Sequence, residues 1–244
     1  LYGYSIQLYC DFSGYSDMAI GISALLGFNI PANFNAPYKA DSLSDFWRRW
    51  HISLSSWIRD YIYISLGGNR KGKVRMYMNQ MIAMTLCGLW HGASLNFVLW
   101  GTLHGLGVCI HKFFSQTIMH HDRHYHPSGL RRFFSVIITF HLVTFLWIFF
   151  RSQDFNAAAL LIKQLFTKFD ITLFPAIVAA YKFVIALIVF ALITHWLPDT
   201  WQEKIIKLFE KGGVVVCALA ITFVIYLAMQ VKSSDIQPFI YLQF

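Results

Sequence analysis

The sequence predicts an all-α membrane protein: a multi-pass transmembrane helical bundle with broken and amphipathic helices. Three observations carry that reading. Of 244 residues, 57% are hydrophobic and only 13% charged, about half the roughly 25% charge of a soluble domain, which leaves too little polar surface to face water on all sides. Long stretches carry no Asp, Glu, Lys or Arg at all. The basic residues behind the net charge of +8 stand between apolar runs rather than along one face, as loop residues at a cytoplasmic membrane surface do; this argues against nucleic-acid binding. Disorder is excluded by the aromatic and apolar content.

Taken in chain order, residues 1–30 are apolar but include Asp11, Ser13, Tyr15, Ser16 and Asp17, so this segment is expected to border a polar cavity. Ser42 and Asp45 fit a capping box opening a helix in 41–68. Along it Trp47, Trp50, His51, Leu54, Ile58 and Tyr61 recur at helical spacing, with Arg48, Ser55 and Arg59 on another side. This predicts one amphipathic helix in the interface or lining a cavity. A basic turn, Gly67 to Lys73, follows.

Residues 76–110 form a 35-residue stretch without formal charge. As one helix it would be about 52 Å long, against roughly 30 Å of hydrocarbon. Gly88 and Gly92 flank Trp90-His91 in its middle, which predicts two shorter helices meeting near His91, each too short to span comfortably. Residues 133–150, 214–231 and 175–197 read as spans, the last interrupted only by Lys182, which can snorkel. Asp154 is positioned to N-cap a surface helix over 155–166, and 201–209 is another amphipathic piece. The four cysteines, Cys10, Cys87, Cys109 and Cys217, lie in apolar runs without CxxC or metal spacing and read as small hydrophobes.

Ionisable residues at membrane depth are costly and therefore mark candidate sites. His91 stands first: a helix break exposes backbone polar groups, tolerable at that depth only against protein or a wet cavity. A neutral imidazole there could take a proton from an alcohol; a core histidine bonded to a carbonyl is the other reading. His51, on the apolar face of the amphipathic helix, is open to packing or function alike. His104 and His111 share a helix face and fit helix-packing hydrogen bonds. The run from His120 to His126 has no recognisable ligand pattern and reads as a polar loop rather than a metal site. Trp47, Trp50, Trp57, Trp90 and Trp100 could line an acyl-chain path, or serve as interfacial tryptophans. No serine-nucleophile elbow or HExxH motif is present.

Several blocks carry a family resemblance. They are Asp-Phe-Ser-Gly-Tyr-Ser-Asp-Met-Ala-Ile-Gly at 11–21, Pro-Tyr-Lys-Ala-Asp-Ser-Leu-Ser-Asp-Phe-Trp-Arg-Arg-Trp-His-Ile-Ser-Leu-Ser at 37–55 and Asp-Tyr-Ile-Tyr-Ile-Ser-Leu-Gly-Gly-Asn-Arg-Lys-Gly at 60–72. Gly-Leu-Trp-His-Gly-Ala at 88–93, Trp-Gly-Thr-Leu-His-Gly at 100–105, Trp147 through Arg151 and the ending Phe-Ile-Tyr-Leu-Gln-Phe complete them. Together they resemble the membrane-bound O-acyltransferase (MBOAT) family, in its alginate and peptidoglycan O-acetylation branch. Ser65 and Leu95 depart from the pattern, where proline and tryptophan are expected.

The resemblance implies a buried tunnel through the membrane, with an acyl donor entering from the cytoplasm and an acceptor from the other side. It implies that His91 is the catalytic histidine and His51 a second active-site polar residue. Trp47, Trp50, Trp90, Trp100, Asp60 and Asn69 are the candidate tunnel and substrate residues. No bound cofactor or metal is expected; acetyl-CoA is the expected acyl donor. The expected partners are the lipid bilayer, and a periplasmic acetyltransferase or polysaccharide acceptor, in the cell inner (plasma) membrane. Residues 1–244 then read as the C-terminal portion of a single membrane domain whose N-terminal helices are absent from this chain. The expected function is histidine-dependent transfer of acetyl to a hydroxyl bound for a cell-surface polysaccharide. Its rivals are transfer of D-alanyl or another acyl group, a proton-coupled transporter and a purely structural subunit. The transporter reading expects ionisable residues on several spans, yet 133–150 and 214–231 offer only His141. Basic residues at both ends of the His91 hairpin (Arg70, Lys71, Lys73 and Arg75 before it, Lys112 and Arg123 after it) predict that both ends are cytoplasmic, as are Lys204, Lys207 and Lys211, with 151–168 outside.

Overall fold

Ten α-helices and no strands make up the described residues, 1–122 and 125–231, of the computed structural model. Helix α1 (Tyr2–Leu25) leads to a 3₁₀ turn at Pro37–Lys39, then α2 (Leu43–Arg49) and α3 (Ile52–Trp57), which runs on as a π-helical turn over Ile58–Tyr63. Helices α4 (Gly72–Trp90) and α5 (Leu95–Phe113) form the most extensive helix pair, and α6 (Gly129–Arg151) packs on α5. Then come α7 (Phe155–Thr167), α8 (Phe174–Ala180), α9 (Lys182–Trp196) and α10 (Asp199–Val231). The ending 239–244 that contributes to the family resemblance lies outside the described residues, as do Arg123 and His124.

The helix starts follow side-chain chemistry. Ser42 Oγ accepts from the Asp45 backbone N–H at 3.2 Å, and Asp154 Oδ1 accepts from that of Ala157 at 2.7 Å, so both read caps are made. Asp45 is itself buried, and its carboxylate accepts from Arg49 Nε at 2.8 Å and Arg48 Nη2 at 3.3 Å. The break near His91 is also present, with α4 ending at Trp90 and α5 beginning at Leu95.

Three expectations need correction. The amphipathic segment in 41–68 is not one helix: it breaks at Trp50–His51, where His51 takes φ 45°, ψ 58°. The reason lies elsewhere in the chain. Residues Asn33 and Asn35 run alongside the break, giving the Asn33 carbonyl to the Ile52 N–H and taking the Arg49 carbonyl with the Asn35 N–H, both at 3.0 Å. The backbone groups freed by the break are thereby satisfied, and Trp47, Trp50, Leu54 and Ile58 remain buried on one side as the helical spacing required, while Tyr61 is exposed. Secondly, the half beginning at Leu95 is not too short to span: with the π-helical turn Phe114–Ile118 it continues to Ile118, 24 residues of sufficient apolarity. Thirdly, 175–197 is not a straight span; α8 and α9 meet at 93° around Tyr181. Neither glycine nor proline marks that bend. The Tyr181 N–H still bonds the Ile177 carbonyl, and the Tyr181 carbonyl takes the Ile185 N–H, both at 2.9 Å, so the turn leaves these groups paired.

Among the described residues three helices are long and apolar enough to cross a membrane, Leu95–Ile118, Gly129–Arg151 and Glu203–Met229, or four if the α8–α9 pair counts as one. The third covers most of the expected apolar run after 213; Gly213, with φ 56° and ψ −150°, breaks the helical path between that run and the amphipathic piece before it, so α10 is two helices meeting at a kink. The core lies where α1, the Pro37–Lys39 turn, α2, α5 and α6 converge. Tyr38 ties it together. Its hydroxyl donates to the Ser5 carbonyl at 2.6 Å, its N–H donates to His195 Nε2 at 3.1 Å, and Ser5 Oγ meets Thr144 Oγ1 at 3.0 Å.

Candidate active site

His91 owes its position to the close crossing of α4 and α5. Gly88 and Gly101 face each other so tightly that a Cβ on Gly101 would stand 2.9 Å from Gly88 Cα. Such small-residue contacts let two helix backbones approach where hydrophobic driving force between helices is weak. The chain then turns sharply: the His91 N–H bonds the Gly88 carbonyl at 3.0 Å and the Gly92 N–H bonds that of Leu89 at 3.1 Å. Ser94 Oγ accepts from the Asn96 N–H and opens α5. A Cβ on Gly92 would lie 2.8 Å from the Phe97 ring, so the link fits a glycine. His91 thus sits on a four-residue link between two helices, half-buried, its ring centroid 4.9 Å from Trp90, 5.1 Å from Phe150 and 5.2 Å from Trp100.

His51 approaches the same indole from the other backbone break, 6.1 Å from Trp90 and 4.8 Å from Phe12. A small network orients it: Ser53 Oγ donates to Asn33 Oδ1 at 2.6 Å and meets His51 Nδ1 at 3.4 Å. A hydroxyl has one proton. With that proton given to Asn33, Ser53 can only accept from His51, which puts the imidazole proton on Nδ1 and leaves the Nε2 lone pair available. The left-handed backbone at His51 is uncommon for a non-glycine residue and costs on the order of 1–2 kcal/mol, a strain of the kind that collects at functional sites.

The other candidate residues divide. Trp100 adjoins His91, and Trp47 and Trp50 are buried behind the two histidines, Trp47 at 5.7 Å from Trp100. Trp90 is 57% exposed although both histidines touch it. Trp47 also walls a cavity of about 490 Å³ with Ser55, Met84 and Cys87, into which Arg48, Arg59 and Lys112 reach; His51 and His91 are not on its wall, though Ile52 is. Asp60 is turned to the surface and paired with Arg59 at 2.7 Å, a hydrogen bond that holds its carboxyl below the usual carboxylate range. Asn69 is exposed and borders a polar cavity of about 160 Å³ that adjoins the first, sharing Ser44, Arg48, Tyr63 and Lys112 with it. The sequence reading missed Asn33 and Ser53 beside His51, Phe97 and Phe150 beside His91, and Trp147 behind Trp100; the three rings are signalled only by aromatic density and the two polar residues by nothing, since contacts between segments this far apart leave no local pattern. His195, which accepts from Tyr38 and packs edge-on to Tyr9 at 5.0 Å, was also missed.

An all-helical membrane protein with two histidines meeting on one indole at two backbone breaks defines the class, and the sequence comparisons define the family. The model of the membrane-bound O-acyltransferase family matches residues 1–150. The chain belongs to that family. It is 46% identical over 167 residues to a probable alginate O-acetylase AlgI of Pseudomonas syringae, covering 68% of this chain and 31% of that protein. It is 43% identical over 160 residues to a peptidoglycan O-acetyltransferase of Helicobacter pylori, covering 66% and 29%. A teichoic acid D-alanyltransferase of Bacillus subtilis is 32% identical over 164 residues, covering 64% and 41%. The aligned part of the chain spans about a third of the length of the two acetyl-transferring relatives.

Proposed function

We propose that this chain is the histidine-bearing part of an inner-membrane, multi-pass O-acetyltransferase that esterifies a hydroxyl on its way to a cell-surface polysaccharide. The observation that carries the proposal is the meeting of His51 and His91 on Trp90 in a chain of this family. His91 acts as general base: an imidazole nitrogen takes the proton of the acceptor hydroxyl as its oxygen attacks the acetyl carbonyl of a thioester, acetyl-CoA being the expected donor. The tetrahedral intermediate collapses with C–S cleavage, and the proton passes to the departing thiolate, so alcohol and thioester give ester and thiol. His51, with Nε2 as acceptor, positions the hydroxyl. The cavity beside Trp47 is within the size range of small-molecule sites; Arg48, Arg59 and Lys112 line it, with the two arginines already paired to Asp45 and Asp60.

Acetyl rather than D-alanyl is favoured because identity is higher to the acetyl-transferring relatives, 43–46% against 32%. Membranes containing the natural protein, supplied with isotopically labelled acetyl-CoA, are expected to accumulate base-labile acetyl ester on envelope polymer. Label entering only from D-alanyl carrier would establish the D-alanyl reading instead, and no ester from either would remove the proposal.

The topology we propose has both ends of the α4–α5 hairpin cytoplasmic. Contacts between those ends support their lying on one side: Lys73 Nζ donates to Thr117 Oγ1 at 3.3 Å and Lys112 Nζ to Gln80 Oε1 at 3.0 Å. Lys204 belongs to the same side in this scheme. Single cysteines at Lys73 and Lys204 should resist an impermeant thiol reagent in intact cells and react after permeabilisation. Labelling of either in intact cells would invert the assignment.

A further inference from the structure

His104 has the most enclosed imidazole described in this chain: it is 0% exposed on α5, between Trp47, Trp100, Phe46 and Trp147. Trp47 Nε1 lies 3.2 Å from His104 Nδ1. An indole N–H only donates, so Nδ1 must be the acceptor, and the neutral ring carries its proton on Nε2. That Nε2 is buried with no partner among the described residues, and so are the indole nitrogens of Trp100 and Trp147. A buried donor left unpaired is costly; an apolar aromatic at 104 would remove that donor but leave the buried Trp47 Nε1 without its acceptor instead. Histidine at 104 is therefore accounted for by its bond to Trp47 rather than by filling space. What only histidine supplies among aromatic side chains is an acceptor on a ring edge, and that acceptor holds Trp47, which lines the 490 Å³ cavity. The same α5 face presents Trp100, packed on both His104 at 4.9 Å and His91 at 5.2 Å.

We propose that His104 is a positioning residue of the acyl-transfer site. Through Nδ1 it fixes the Trp47 indole as one wall of that cavity, and through Trp100 it backs the His91 ring. The proposal rests on the acetyl-transfer reading for its kinetic consequence, but its structural core, the locked tautomer, does not.

Two measurements on the natural protein test it. With histidines labelled with ¹⁵N, His104 should show an unprotonated Nδ1 and a protonated Nε2 across neutral pH, and Trp47→Phe should alter its Nδ1 signal. A protonated Nδ1 would overturn the proposal whether or not any acyl transfer is found. In the acetylation assay, His104→Phe and Trp47→Phe should each reduce turnover about 5- to 10-fold, the scale of one buried hydrogen bond, and the double variant should fall no further. His104→Asn, whose amide oxygen can stand near the Nδ1 position, should recover part of the activity. Full activity in His104→Phe, or losses that multiply in the double variant, would leave His104 as packing alone.

Discussion

His91→Ala in the natural protein should lower polymer acetylation by about 10²–10⁴-fold, the usual contribution of a general base, while inserted protein stays at the parent level. His91→Asn should fare no better. Its amide fills part of the same space and can hydrogen-bond, but cannot accept a proton at neutral pH. The ring lies among Trp90, Trp100 and Phe150, so a truncation could also loosen the site; the thermal unfolding midpoint of each variant separates that effect from lost chemistry. His51 gives the contrasting series. Its backbone is left-handed, φ 45°, a conformation in which asparagine and histidine are both several-fold enriched over most residues. His51→Asn should therefore fold about as well as the parent and retain part of the activity through its hydrogen bond. His51→Gln, with the same chemical group on a backbone less suited to that φ, should retain less. His51→Gly should be stable and nearly inactive. Near-parental acetylation by His91→Asn would return His91 to the role of a core histidine and leave the reaction without its base.

The parts of the fold legible in the sequence were those written in neighbouring residues. Ser42 and Asp154 announced helix starts because a cap and its N–H lie three residues apart, and Gly88 and Gly92 announced the His91 link. The burial of Trp47, Trp50, Leu54 and Ile58 followed from spacing even though the helix carrying them is broken. What stayed hidden depends on segments remote in sequence. The break at His51 has no glycine or proline beside it, since its stabilising partners are Asn33 and Asn35. The bend at Tyr181 likewise has no local breaker. Of the candidate site, the two histidines and Trp90 and Trp100 were legible and come together, whereas Asp60 and Asn69, adjacent to the motif along the chain, stand apart from the histidines in space. His104 was read as a helix-packing hydrogen-bonding residue, and its hydrogen bond to Trp47 is present; the unpaired Nε2, from which a further role follows, has no sequence signature.

Gly101→Ala is the second substitution with a large expected effect, and its cause is steric. The added methyl would press on the Met84 carbonyl and on the Gly88 backbone of the facing helix, with Gly88 Cα at 2.9 Å and its nitrogen at 2.9 Å. These are backbone atoms, unable to rotate away as a side-chain end can, so α4 and α5 must separate. Forcing one extra methyl into a packed contact typically costs about 1–3 kcal/mol. Here the displaced residue, Gly88, lies three positions before His91 and its carbonyl accepts the His91 N–H, so separation moves the His91 link as well. The expected result is a lower thermal unfolding midpoint in detergent and reduced acetyl transfer, in a protein whose histidines are all intact. Gly21→Ala provides the control. It lies inside α1 with nothing within 4 Å of the added carbon, and exchanging glycine for alanine in a helix interior favours the helix by about 0.8–1 kcal/mol. Its midpoint should equal or exceed the parent's. If Gly101→Ala matched Gly21→Ala in both measurements, the α4–α5 crossing would have slack, and the position of His91 would have to be set by the aromatic rings around it rather than by the glycine contact.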